Sequence, residues 1–122
     1  MNSGIVYGYY RSGHLVYVGK SVNYGTPEYV LRRRHTAHMG GGLAIDQELR
    51  RDENAFTLSI IHQMTGEDRH AIRREVTRLE AEIIKIGQPK YNRAMTQHAG
   101  EHATWPAWVD ELRLMFAKGI SI

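Results

Sequence analysis

The apolar positions of this chain change their spacing several times, and each change marks an element. GIVYGYY at 4–10 and LVYVGK at 15–20 are rich in β-branched and aromatic residues, and the RSGH between them is polar with one glycine. Two such runs around a short turn predict a β-hairpin. SVNYGTPE, with Gly25 and Pro27, reads as a loop leading into a helix from about Glu28 to Met39. The GGG at 40–42 closes that helix, with glycine supplying a left-handed cap. LAIDQELRRDE predicts a second helix with Leu43, Ile45 and Leu49 facing inward, and FTLSIIH alternates Phe56, Leu58 and Ile60 with Thr57 and Ser59 as a third strand. The longest helix runs from about Glu67 to Ile86, stopping at Gly87 with Pro89 just beyond. Residues 93–104 are polar and read as loop, and a last helix opens near Trp105-Pro106 and ends before Gly119. The fold class is α+β, a small three-stranded antiparallel sheet flanked by helices with an extra C-terminal helix.

One position breaks the pattern. On the long helix Ile72, Val76, Leu79, Ile83 and Ile86 form an apolar stripe, broadened by Ile84, and Glu80 projects into it between Val76 and Ile84. Glu75 and Glu82 point away. A carboxylate at the edge of a core costs roughly several kcal/mol unless a cation, a metal or hydrogen-bond donors compensate it. Two readings fit: a structural pair with an arginine, or a metal-binding or catalytic group.

Composition narrows the class. The chain has 122 residues, 42% apolar and 24% charged, which suits one soluble globular domain. It has no cysteine, which excludes disulfides and thiolate zinc sites. No run approaches the ~18 apolar residues of a membrane span, and the start MNSGIVYGYYRSG lacks the pattern of a secretory signal, so a cytoplasmic protein with no membrane partner is expected. The net charge of +3 and pI near 9.3 are mild, but LRRRHTAH gathers Arg32, Arg33, Arg34, His35 and His38 on one helix. Such a cluster is either a footprint for a phosphate backbone or a solvated helix face.

Gly19-Lys20-Ser21 ends like a nucleotide-binding loop, yet the glycine required five places earlier is His14, and no helix follows. The nucleotide reading fails on spacing. The remaining parts suit a phosphodiesterase: a glutamate to hold a divalent cation, an arginine to neutralise phosphoryl oxygens, and tyrosine or histidine to relay a proton from water.

Over roughly residues 4–92 the chain resembles the GIY-YIG endonuclease family. IVY at 5–7 and YVG at 17–19 stand where the family has its two tripeptides, with Tyr7 and Tyr17 ten positions apart. LRRRHTAH matches the helix in which an arginine precedes a histidine by four, here Arg34 and His38, which face the same way. LEAEIIKIGQPKYN at 79–92 matches the segment holding the family's metal-binding glutamate, here Glu80, and a closing Asn92 twelve residues later. Two departures are plain: Gly4 lies one place early, so Ile5 takes the usual glycine position, and the loop through VNYGTPEYV is longer than in compact members.

The resemblance implies hydrolysis of a DNA phosphodiester with one Mg2+ or Mn2+ ion per site, leaving a 5′-phosphate and a 3′-hydroxyl. It makes residues 1–96 the nuclease-like domain and 97–122 an extension. Glu80 becomes the metal ligand, Arg34 the contact to the scissile phosphate and Tyr7 the general base. An unperturbed tyrosine has a pKa near ~10, so Tyr7 needs positive charge nearby, from Lys20, Arg34 or the metal. Tyr17 hydrogen-bonds the water or phosphate, or is a core tyrosine. His38 positions or deprotonates Tyr7 or the water, and Asn92 ties the core to the site. Gly19 lets the backbone pass close to substrate or a neighbouring strand. Lys20 supplies charge, contacts phosphate or is a solvated edge, while Arg32, Arg33 and His35 contact the DNA backbone. His98 and His102 read as loop residues, not a metal site. The face of Trp105, Trp108, Val109, Leu112 and Phe116 packs on the same core or forms a homodimer surface. The competing readings are a catalytically lapsed nucleic-acid-binding module of the same fold and an interaction protein whose basic helix is incidental.

Overall fold

β1 (Asn2–Arg11) is buried without a break from Ser3 to Tyr10, which is the signature of a strand covered on both faces. It is the centre of the sheet. β2 (His14–Tyr24) and β3 (Phe56–Gly66) flank it in the order β2-β1-β3, both antiparallel. A computed structural model describes residues 1–92 of the chain. The expected C-terminal helix, His98, His102 and the dimer face lie outside the described residues.

The hairpin is tighter than its letters suggest. Arg11 pairs with His14, so only Ser12 and Gly13 remain as the turn, and both have positive φ, 52° and 78°. Two left-handed residues make the turn whose twist matches paired strands. β2 also runs on through Ser21–Tyr24, expected to be loop, because Asn2–Ile5 offer these residues a ladder partner.

Thr26 caps α1 (Pro27–Met39), its hydroxyl accepting the Tyr29 N–H at 3.2 Å, and Pro27 sits in the first turn where its missing N–H costs nothing. Gly40 ends the helix at φ −109°, so the expected left-handed glycine cap is absent there. α2 (Ala44–Arg51) buries Ile45 and Leu49, whereas Leu43, expected inward, is 50% exposed at the helix start. Asp68 caps α3 (Arg69–Gly87) by accepting the Ala71 N–H at 3.1 Å. Gln88, not Gly87, takes the left-handed conformation that stops it.

Two apolar layers sandwich the sheet. Ile5, Tyr7 and Tyr9 of β1 pack with Tyr17 against Val30 and Leu31 of α1 and Ile45 and Leu49 of α2. Val6, Tyr10, Leu15 and Val18 pack on the other face against Val76 and Ile84 of α3. Each such side chain contributes ~1.5–3 kcal/mol on burial. Gly4 belongs to the second layer, where a Cβ would overlap Ile72 and press on Val76. Gly4 therefore has a packing reason of its own.

The outer edge of β2 is closed by the segment after α3. The Tyr91 N–H donates to the Val16 carbonyl at 2.8 Å. The Asn92 amide accepts from the Val18 N–H and donates to the Val18 carbonyl, both at 2.9 Å, as a neighbouring strand would. Further along, an Arg69 Nη donates to the Val22 carbonyl at 3.2 Å. An edge covered in this way is a poor template for pairing with other chains.

Among the described residues no helix is long and apolar enough to cross a membrane.

Candidate active site

Because β2 is an edge strand gripped by α1 on one face and α3 on the other, side chains from both helices reach the same rim of the sheet. Tyr7 stands at the centre of this rim. It lies opposite Gly19, and a Cβ on Gly19 would collide with the Tyr7 phenol Oη and Cζ. The glycine after Val16-Tyr17-Val18 is there because a phenol occupies its side-chain space.

Two side chains of α1, one turn apart, converge on that phenol. His38 Nε2 lies 2.6 Å from the Tyr7 Oη, and the Arg34 Nε–H donates to the same oxygen at 3.1 Å. The Tyr17 ring sits 6.4 Å from Tyr7 and 5.4 Å from His38, edge-on to the imidazole. Among the described residues no carboxylate pairs with Arg34, so its terminal nitrogens remain for an outside anion. Behind His38, its Nδ1 meets the Asp46 carboxylate of α2, which is itself buried.

Glu80 approaches from α3. The buried line of that helix runs through Ile72, Val76, Ile84 and Gly87, so Glu80 falls in the middle of the inward face. Its side chain is 13% exposed and its Oε1 lies 3.4 Å from the Lys20 Nζ on β2. Lys20 therefore serves Glu80 and is not hydrogen-bonded to Tyr7. The Glu80 charge still acts on Tyr7 and Tyr17, and Arg34 acts on Glu80.

Burial sets the proton positions. It pushes the phenol of Tyr7 well up, reinforced by Tyr17 and opposed by Arg34, and pushes Tyr17 up as well. It drives His38 below the ordinary imidazole value, with Asp46 pulling the other way. It lifts Glu80 above the ordinary carboxylate value, with Lys20 opposing. The resting site thus holds a protonated tyrosine against a neutral histidine, and the positive charge of Arg34 does not suffice to ionise the phenol.

No cluster of three or more His, Cys, Asp or Glu occurs among the described residues. Mg2+ keeps much of its water and takes one or two carboxylates plus substrate phosphate, so one carboxylate can meet its needs. Glu80 suits such a role chemically, since it is a partly buried carboxylate already drawing a cation, the Lys20 ammonium, to its side.

The other basic residues divide. Arg32 and Arg33 are exposed and, with Tyr29 and Thr36, line a surface hollow of about 290 Å³. The Arg33 Nη1 donates to the Tyr29 hydroxyl at 3.2 Å, and its guanidinium lies 5.8 Å from that ring. His35 turns inward instead, with Nδ1 2.6 Å from the Tyr9 hydroxyl and Nε2 3.0 Å from a Glu53 carboxylate oxygen. Both nitrogens are thereby engaged within the protein. Asn92 acts through β2, as described above. Asp46 was not anticipated; its signal was an acid beside Ile45 and three before Leu49, on the inner side of a short helix.

No protein-family model, curated protein or solved structure matches this chain.

Proposed function

We propose that the chain is a metal-dependent DNA endonuclease of the GIY-YIG type. The observation that carries this reading is the convergence of Arg34 and His38 on one buried phenol oxygen, at a rim also influenced by Glu80. A core tyrosine needs one partner; an arginine and a histidine on the same oxygen make a group poised to exchange a proton beside a fixed positive charge.

In the proposed reaction His38 accepts the Tyr7 proton, and Tyr7 takes one from the attacking water. Arg34, held by its Nε to Tyr7, directs its remaining N–H groups at the scissile phosphate and offsets charge on the phosphoryl oxygens. Tyr17 orients water or phosphate beside them. Glu80 holds one Mg2+ or Mn2+ ion, which when bound supplies Lewis-acid polarisation of the phosphate. With Glu80 holding such an ion, Lys20 would be released from its partner to meet DNA phosphate. Arg32 and Arg33 track the backbone outside the site.

A supercoiled-plasmid nicking assay with Mg2+ or Mn2+, run with and without chelator, tests the reading. Nicking should require metal and vanish in Glu80→Ala, while DNA binding persists. Binding without any cleavage would favour the lapsed module, and Glu80→Ala cutting at the parental rate would remove Glu80 as the metal ligand.

A further inference from the structure

We propose that Asp46 is a positioning residue, the third member of a carboxylate–imidazole–phenol chain that sets the direction of proton transfer out of Tyr7. The proposal rests on the nuclease reading for its catalytic consequence, but the chain itself is a matter of hydrogen-bond direction. Asp46 is 3% exposed, and both carboxylate oxygens are used. Oδ1 meets His38 Nδ1, and Oδ2 accepts the Leu43 N–H at 2.9 Å. A Cβ on Gly41 would run into that carboxylate, so the loop between α1 and α2 is shaped around it.

An ionised carboxylate only accepts, so the proton shared with His38 belongs to Nδ1. In a neutral imidazole Nε2 is then bare, and the 2.6 Å contact with Tyr7 is the phenol O–H donating to Nε2. The Arg34 Nε–H must donate, so the Tyr7 oxygen accepts there, an arrangement compatible with the phenol hydrogen pointing at His38. With Nε2 bare, the proton moves from Tyr7 to His38. The Oη–H bond breaks and an Nε2–H bond forms; the imidazolium sits between Asp46 and the new phenolate. The phenolate takes a proton from water as the water oxygen bonds to phosphorus and the P–O3′ bond breaks. The leaving 3′-oxygen gains a proton from solvent while His38 returns one, so none is consumed.

A second chain supplies an internal control. Glu53, His35 and Tyr9 bring together the same three chemical groups, a carboxylate, an imidazole and a phenol, but Glu53 is 56% exposed and the imidazole is reversed, with Nε2 toward the acid.

The test joins kinetics to nitrogen NMR of His38. Asp46→Asn can donate its amide to Nδ1, which allows Nε2 to carry the proton and donate to Tyr7. Nicking at saturating DNA should fall by roughly 10²- to 10⁴-fold, with DNA affinity and metal requirement unchanged. The His38 nitrogen shifts should move from Nδ1–H in the parent to Nε2–H in Asp46→Asn, and Glu53→Gln should nick like the parent. Asp46→Asn cutting within about threefold of the parent overturns the proposal. So does an Nε2–H tautomer in the parent protein, a result that needs no variant to fold. A parent that never nicks DNA sinks the nuclease reading instead, and the tautomer measurement still decides the role of Asp46.

Discussion

The phenol of Tyr7 fills the space that a side chain on Gly19 would need, across the antiparallel pair of β1 and β2. Gly19→Ala must therefore displace the ring from Arg34 and His38. Overpacking of this kind costs about 1–3 kcal/mol, and urea unfolding should show a loss of that size with nicking abolished. In a Tyr7→Ala background the stability cost of the added methyl should largely disappear. An unchanged cost would mean that the glycine is required by backbone conformation, not by the phenol.

Much of this rim was legible in the letters. Glu80 stands out because period 3.6 puts an acid among isoleucines and valine, and Arg34 and His38 share a face because they are four apart. The tyrosines enter through the ordered motif, since nothing local distinguishes them from ordinary strand residues. What stayed hidden was set by partners distant in sequence. Ser21–Tyr24 became strand because Asn2–Ile5 lay opposite, and His35 turned inward because Tyr9 and Glu53 lay within reach. Asp46 went unread: the glycines at 40–42 do close α1, and nothing in their letters shows that Gly41 also leaves room for the Asp46 carboxylate.

Glu80 is held in the fold at a cost, which Glu80→Gln should recover. Its folded pKa is raised above 4.5, so the native state binds more protons than the unfolded chain in the window just above that value. Stability accordingly falls as pH rises through the folded pKa, and the penalty is fully present at neutral pH. Lys20 is partly solvent-exposed and tolerates losing its partner. Thermal unfolding at pH 7 should show Glu80→Gln more stable than the parent. Added Mg2+ should raise the melting temperature of the parent and leave that of the variant unmoved.

His38 has the opposite sign. Its folded pKa lies below 6.5, so between the two values the unfolded chain binds more protons and stability rises with pH. The contribution is complete above 6.5 and is lost as pH falls toward the folded value. Tyr7 and Tyr9 from β1, Tyr17 from β2, Arg34 and His35 from α1 and Asp46 from α2 are titratable groups around it. The parent should lose up to about 1.4 kcal/mol per pH unit from this group in that window. His38→Gln should lack that slope, isolating it from the countervailing one of Glu80.

Asn92 is the far end of a buried pair of hydrogen bonds, and removing it orphans the Val18 N–H and carbonyl together. Asn92→Ala should cost about 2 kcal/mol or more, since unmade buried bonds are dearer than made ones are favourable. The β2 edge would open at the same point, so light scattering on heating should report earlier aggregation. A stable, non-aggregating Asn92→Ala would show that Tyr91 and Arg69 suffice to close the edge.

The three consecutive arginines should separate by experiment into binding and chemistry. Arg32 and Arg33 are exposed around the Tyr29 hollow, whereas Arg34 is tied to Tyr7. Exposed cations that meet phosphates release counterions, and each one removed should lower the slope of log affinity against log salt by about 1. Arg32→Ala and Arg33→Ala should therefore weaken binding evenly across DNA sequences, with nicking at saturating DNA close to parental. Arg34→Lys retains the charge but loses the planar fork and its Nε–H to Tyr7. Its nicking rate at saturation should drop roughly 10²-fold, with the salt slope little changed. If Arg34→Lys instead loses affinity and holds its rate, the arginine on Tyr7 is one more backbone contact and the convergence on that phenol has another purpose.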